Sequence, residues 1–335
     1  MAEGKLKKYF LYAIGEILLV VIGILIALQI NNANETRKNN DYVESLFDKV
    51  EQDLIANIRS ANMTFNYYAR LDSLARVVIL NKPSKEEYLK NEALRALIVD
   101  NFPIQLIKDN ITKLLEKEEL VPPKYDNIFS TLKQLARVPP HLERDWDEII
   151  AKAEKDKEFL TMNFGPYGTA PEILAERLDY YLTEDFRNKI HMVWDRNQTY
   201  MFKVAEFRSL CFAALIQSKR LRAQLRTEEV KNLFKKLNME PFQEIHCEET
   251  ALSPGNSVRE RQLVYNSSST SIQLEGSFSD GRRPFVVKIE SHDFIILDHF
   301  PQPIFNDYTR VIKKVEQGNC VSQYVSRKNG YLILE

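Results

Sequence analysis

The chain has 335 residues and a mass of 39.1 kDa, too long for one ordinary hydrophobic core and suited to about two domains. Its 10 glycines, roughly 3% against a usual ~7%, and its 13 prolines disfavour collagen-like, low-complexity and glycine-loop nucleotide folds, so helix is the default expectation. Lys and Arg number 46 against 47 Asp and Glu, so the net charge of −1 points to no polyanion such as nucleic acid as a partner.

The N-terminal segment is the most explicit. Residues 10–30 read FLYAIGEILLVVIGILIALQI and as a helix would rise about 31 Å, the thickness of one hydrocarbon core. The chain's mean hydropathy of −0.34 conceals this run by dilution. A cleaved leader is the alternative, but its apolar region is only about 7 to 15 residues and ends in a small-x-small site. Here the run is longer, and Asn31 stands two positions before Ala33. A retained transmembrane anchor is therefore expected. Lys5, Lys7 and Lys8 precede it and only Arg37 and Lys38 follow closely, which places the N-terminus in the cytoplasm by the positive-inside rule. Glu16 and Gln29 lie within the span. Glu16 either reaches back toward the headgroups and Lys8 or pairs with a neighbouring helix, and Gly23 with Ala27 offers a partial small-residue face for a second copy.

The string from Tyr12-Ala13-Ile14-Gly15-Glu16-Ile17 through Gly23-Ile24-Leu25-Ile26-Ala27-Leu28-Gln29-Ile30-Asn31-Asn32, then Asn34-Glu35 and Arg37-Lys38, resembles the opening of a family of uncharacterised single-pass inner-membrane proteins of Gram-negative bacteria. The resemblance covers about 30 residues. It departs at Ala33, where the family usually carries Trp. It implies topology rather than mechanism: one span and a large periplasmic part.

No Pro or Gly occurs between residues 35 and 81. Val43, Phe47, Val50, Leu54, Ile58, Ala61, Phe65 and Tyr68 recur at a helical period between 3.5 and 3.6, the stripe of a long amphipathic helix that could continue the span as a stalk. The Asn-rich residues 31–40 are where it could break. Ser84 with Glu87 forms a capping box opening a helix to about residue 100, and Pro103 is expected to start another. Helices follow over 124–138 and 141–163, then a turn cluster at 164–170 and a short helix after Pro171. Thr183 caps a Pro- and Gly-free run reaching Arg226, long enough to pair antiparallel with the first long helix, and Thr227 caps a last helix over 228–239. Beyond Pro241 the pattern changes to β-branched and aromatic runs at 262–265, 271–274, 285–289, 294–297, 308–312, 320–325 and 331–334. Asp280-Gly281, Gln317-Gly318 and Asn329-Gly330 supply turns, and Asn329-Gly330 is expected to close a hairpin. The expected fold is a membrane-anchored α+β chain: a cytoplasmic N-terminus over 1–8, a transmembrane helix over 9–30, an α-helical periplasmic domain over 31–240, and a β-rich sandwich or barrel over 241–335.

Chemistry is sparse. No phosphate loop, dinucleotide fingerprint, HExxH helix or GxSxG elbow occurs. The most suggestive cluster is Ser291-His292-Asp293 with Asp298-His299, since alternation on a strand would put His292 with Asp298 and Asp293 with His299. Each pair is then about 20 Å apart, too far to share a metal or a substrate unless the strand folds back. Polar ends flanking a buried strand are the simpler expectation. His246-Cys247 could be half of a thiol dyad, or Cys247 could bridge Cys320 in an oxidising periplasm, closing a long loop worth roughly 4 kcal/mol. Cys211, within a Leu-Cys-Phe-Ala-Ala-Leu run, is expected to be buried. Lys219, Arg220, Arg222 and Arg226 form a basic patch expected to be a solvated helix face. No catalytic, metal or cofactor site is expected. The expected role is non-enzymatic: interaction, sensing or scaffolding at the membrane, with the lipid bilayer, a second copy or an unknown protein as partner. The rival is a membrane-anchored hydrolase using the 291–299 segment.

Overall fold

A computed structural model of the chain describes residues 3–165, 171–223, 227–248, 260–278, 284–299, 310–326 and 330–335. It is an α+β protein with a long apolar N-terminal helix, a helical body and two C-terminal β-sheets. Helix α1, Glu3–Arg76, is unbroken over 74 residues, about 110 Å. The Asn-rich stretch does not interrupt it. No Pro or Gly stands there, and the Thr36 hydroxyl donates to the Asn32 carbonyl one turn back, a shared acceptor that a helix accommodates without breaking. Side chains 15–42 are all exposed, and burial begins at Val43. The eight stripe residues from Val43 to Tyr68 are each at most 1% exposed, so the sequence period maps onto one buried face. The helix ends in a π turn at Val77–Asn81, followed by Lys82 with φ 51° and then Pro83.

The capping box at Ser84 forms, but the helix it opens is cut short. Helix α2 spans Lys85–Lys90, and Asn91 takes extended backbone and caps a second short helix, α3, Glu92–Ala96, through its side chain. The helix expected from Pro103 is absent. Residues 101–108 run extended along α1, and the next helix, α4, is Asp109–Leu115. Side chains of the long helices replace the missing helical partners. Asn57 Nδ2 donates to the Ile107 carbonyl at 2.7 Å while the Ile107 N–H donates to Asn57 Oδ1 at 2.8 Å, and the Gln105 N–H donates to the Ser60 hydroxyl. The register of this ladder is held by tertiary contacts that no local sequence signal announces.

Helices α5, Asp126–Leu135, and α6, Pro139–Phe164, lead to α7, Pro171–Tyr181, and to α8, Glu184–Ala223. Thr183 caps α8 by accepting the Phe186 N–H at 3.2 Å. As expected, α8 lies antiparallel to α1: Asp72 meets Trp194 and Gln198, Asn62 meets Arg208, and Glu51 meets Ser218. Residues 210–216 of α8 are buried on every side, because α1 covers one face and the first β-sheet another. Helix α9, Thr227–Lys236, takes Thr227 into its own span.

The strands are β1, Glu240–Pro241; β2, Gln243–Ile245; β3, Glu260–Asn266; β4, Ile272–Phe278; β5, Phe285–Ile289; β6, Phe294–His299; β7, Arg310–Glu316; β8, Asn319–Val325; and β9, Gly330–Leu334. They form one sheet of order β1-β9-β3-β6 and another of order β2-β8-β7-β4-β5. Strand alternation divides the first sheet: Leu263, Tyr265 and Tyr331 pack into the helical core, while Val264, Leu332 and Leu334 meet Ile272, Leu274, Ile289 and Ile312 of the second. The result is three layers, helices on sheet on sheet, and the apolar core runs across the helix-to-strand change at Pro241. Strands β8 and β9 do not pair as the expected hairpin, whose Asn329 lies outside the described residues. Strand β9 sits in the other sheet from β8 and pairs in parallel with β1 and β3, a placement that gives its two apolar faces two covers. Gln317 and Gly318 do make a two-residue hairpin between β7 and β8, both at positive φ. Asp280-Gly281 and the residues before Arg310 lie outside the described residues. Cys247 and Cys320 are bridged across 73 residues, tying the end of β2 to β8.

Replacing Asn57 by Ala removes both part-buried hydrogen bonds to the Ile107 backbone. The expected loss is about 2 kcal/mol in urea unfolding of the detergent-solubilised protein. An unchanged midpoint would show that apolar contacts alone hold the 101–108 segment.

Candidate functional site

Three segments converge beside the C-terminal part of α8. Gln217, Arg220 and Leu221 stand three and four residues apart and so share one helix face. A single 3₁₀ turn at Pro123–Tyr125, opened by a proline at its first position, presents Lys124, and the first turn of α5 adds Asn127. Tyr265 of β3 and the Ser291-His292 turn between β5 and β6 close the other side. Together they line an open cleft of about 400 Å³.

The β side of the cleft is fixed by Asn266. Its Nδ2 donates to the carbonyls of Thr270, Ile289 and Glu290, and its Oδ1 accepts from the Ser268 N–H and hydroxyl. The Ser291 hydroxyl donates to the Ser268 carbonyl at 2.9 Å, which binds the two turns to each other. Arg220 then ties this wall to α8: its Nη1 donates to the Ser267 carbonyl at 3.0 Å and lies 3.0 Å from His292 Nδ1, while the guanidinium stands 5.5 Å from the Tyr265 ring centre. A guanidinium has no acceptor, so His292 Nδ1 must be the lone-pair nitrogen, and the neutral ring carries its proton on Nε2.

Burial lowers the pKa of His292 and the Arg220 charge adds to it, so the imidazole is held below its ordinary range. Burial raises the Tyr265 phenol, with Arg220 opposing. Gln217 is 5% exposed, and its Oε1 has no hydrogen-bond partner. None of the residues lining the cleft is Asp or Glu.

On the opposite side of α8 the charges are matched. Arg222 donates to Glu44 at 2.8 Å, to Glu51 at 2.8 Å and to Asp48 at 2.5 Å, while Lys219 pairs with the same Glu51. Burial opposes the Arg222 charge, but these carboxylates outweigh it and raise its pKa. Glu44 is held below the usual carboxylate range because the hydrogen bonds from Tyr125 and Arg222 outweigh its desolvation. The expectation of a solvated basic face is therefore corrected: Lys219 and Arg222 are half-buried and engaged by acids of α1 across the helix interface, and Arg220 by Ser267 and His292 of the β side. Arg226 lies outside the described residues.

The 291–299 cluster is not assembled as the alternation suggested. His292 sits in a turn at φ 58°, off the strand, and β6 runs extended from Phe294 to His299 without folding back. Asp293 uses Oδ1 to accept the Phe294 N–H at 2.8 Å. The side chains of Asp298 and His299 lie outside those described. Of the cluster, His292 and Ser291 reach the cleft. The thiol dyad is also corrected, since the Cys247 sulfur is committed to Cys320. Cys211 is fully buried, and burial pushes its thiol far above the ordinary range, as an apolar core residue. Among the described residues, no three His, Cys, Asp or Glu side chains come together in a way that could hold a metal.

Sequence reasoning missed Lys124, Gln217 and Tyr265, and read Arg220 as surface. Only Arg220 and His292 carried a local signal, a basic run and a polar cluster; their meeting depends on the packing of β3 on α8. Compared with protein-family models, curated proteins and solved structures, the chain matches none of them.

His292 is expected to titrate below the ordinary imidazole value by NMR, and Arg220→Gln to move it back up. Because the folded pKa is the lower one, the stability linked to His292 is complete above the unfolded-state value and declines as pH falls through the window between the two. An ordinary pKa in the native protein would show that the ring does not face the guanidinium.

Proposed function

We propose that the protein is a single-pass, membrane-anchored binding protein of a Gram-negative inner membrane. Residues 1–8 are cytoplasmic, 9–30 cross the bilayer, and the body lies in the periplasm. It belongs, on this reading, with the uncharacterised inner-membrane family that its N-terminus resembles, and acts by interaction, sensing or scaffolding rather than by catalysis. The observation that carries the reading is the division of α1. Eleven large apolar side chains from Ile17 to Ile30 are 47% to 75% exposed, and the same helix then enters the buried core at Val43. A continuous apolar surface of this size needs a cover, and its best window, at a mean hydropathy of 2.0, is of the length and composition that a bilayer core covers.

Three further features support the reading. The Cys247–Cys320 bridge suits an oxidising compartment. Lys5, Lys7 and Lys8 favour a cytoplasmic N-terminus. The cleft beside Arg220 gives the body a place to bind. The bilayer is the first partner. A second copy could approach along Gly23 and Ala27, where an added methyl would meet nothing at Gly23 within 4 Å. Lys219 and Arg222 are spent on α1 acids, which leaves little for nucleic acid.

A reporter active only in the periplasm, fused after Glu335, is expected to be on, with the protein resisting carbonate extraction from membranes. Activity of a cytoplasm-only reporter at that position, or release by carbonate, would overturn the reading.

A further inference from the structure

We propose that the cleft between α5, α8 and the β5–β6 turn binds a small soluble organic anion, a carboxylate or phosphate ester attached to a flat apolar body. This deepens the reading of the body as a binding module and rests on it.

The charge pattern is the first argument. Around α8, Lys219 and Arg222 turn to the carboxylates of α1, while Arg220, between them, turns to the cleft. It shares the lining with Lys124, delivered by a separate segment and standing at the outer reach of an ion pair, 3.9 Å, from the half-exposed Glu44, and no carboxylate lines the cleft itself. Two cations brought to one cleft wall favour an anion between them, the guanidinium by paired hydrogen bonds and the ammonium as a point charge. His292 adds a neutral donor, since its Nδ1 is turned to Arg220 and its proton is on Nε2.

Gln217 is the second, independent argument. Its carboxamide is almost wholly buried in the cleft wall, and Oε1 is without a partner, a state that native proteins rarely leave uncompensated. Rotation interchanges the two ends of a carboxamide, so Gln217 can donate to an anionic oxygen or accept from a ligand hydroxyl. A bound ligand would complete it.

Shape supplies the third. A volume of about 400 Å³ falls within the range of small-molecule sites, and the buried Tyr265 ring with the 43%-exposed Leu221 gives an apolar wall beside the charges. The Asn266 hydrogen bonds hold the β side in place before any ligand arrives. A soluble ligand is favoured over a lipid headgroup by position. Lys124 and Arg222 meet α1 between Glu44 and Glu51, and at 1.5 Å per residue that level stands about 20 to 30 Å beyond Ile30.

The test is calorimetric titration of the full chain in phosphatidylcholine nanodiscs with benzoate, phenyl phosphate, inorganic phosphate and neutral benzyl alcohol. Benzoate or phenyl phosphate is expected to bind, inorganic phosphate more weakly, and benzyl alcohol not at all. Lys124→Gln, which removes the charge and gives up only the exposed 3.9 Å pair with Glu44, is expected to weaken binding roughly tenfold. Gln217→Leu is expected to weaken it while leaving the ligand-free thermal midpoint unchanged or higher, which a purely structural glutamine would not do. Arg220→Gln also loses the Ser267 contact, so the other two variants decide. Equal binding of benzoate and benzyl alcohol would overturn the anionic class and leave a binding cleft. No binding of either organic anion at millimolar concentration, or binding untouched by both variants, would overturn the site. Competition from phosphatidylglycerol placed in the discs would reassign the anion to a lipid headgroup. The topology reporter can fail while these titrations succeed, and the reverse, so the two readings fall separately.

Discussion

The structure depends on the antiparallel contact of α1 with α8. Its apolar part is the stripe from Val43 to Tyr68 set against Tyr200 to Ile216, but polar links at three levels set its register. Asp72 accepts from Trp194 Nε1 at 2.6 Å, from Gln198 and from Arg76 at 3.0 Å; Arg208, fully buried, donates to Asn62 at 3.1 Å with its guanidinium 4.5 Å from the Phe65 ring centre; Glu51 takes Ser218, Lys219 and Arg222. Burial pushes the Asp72 carboxyl up and its donors oppose that, so this end of the interface is held by hydrogen bonds of high directional demand. Sliding one helix by a turn would break all three sets at once, leaving Asp72 with only Arg76 of its own helix. That cost, more than hydrophobic burial, selects one alignment.

Everything else is placed by α8. Its face opposite α1 receives β3, through Ser209 donating to the Arg261 carbonyl and Glu206 pairing with Arg261, and α9 adds Phe234 between Phe212 and Tyr331 with ring centres 4.3 and 4.5 Å away. The first sheet is thus buried on both faces, and the second sheet covers it. The cleft arises where this stack meets the α5 entry, at the open end of α8.

Much of this architecture was legible in the sequence because it rests on period and punctuation. The 3.6-residue stripe of α1, the Thr183 cap, the Ser84 capping box and all seven strand runs are local signals, and each has its counterpart among the described residues. The failures share one cause. Pro103 is an acceptable helix start in isolation, yet the extended 101–108 segment is stabilised by Asn57, Ser60 and Thr64 some forty to fifty residues earlier. Asn329-Gly330 is a good hairpin signal, yet β9 gains more by pairing with β3, where both its faces are covered. The cleft was less legible still. His292 stood out for its company with Asp293, whereas its neighbour in the cleft is Arg220, 72 residues away.

The unbroken course of α1 couples direction as well as distance. A helix without a hinge fixes the azimuth of its apolar run relative to the cleft, because each residue between Ile30 and Val43 contributes about 100° of rotation along with 1.5 Å of rise. One inserted residue would swing the body by more than a quarter turn about the helix axis, whereas seven would restore its heading to within about 20°. The intervening segment, exposed throughout and poor in specific contacts, is thereby constrained in its length modulo the helical repeat rather than in its composition.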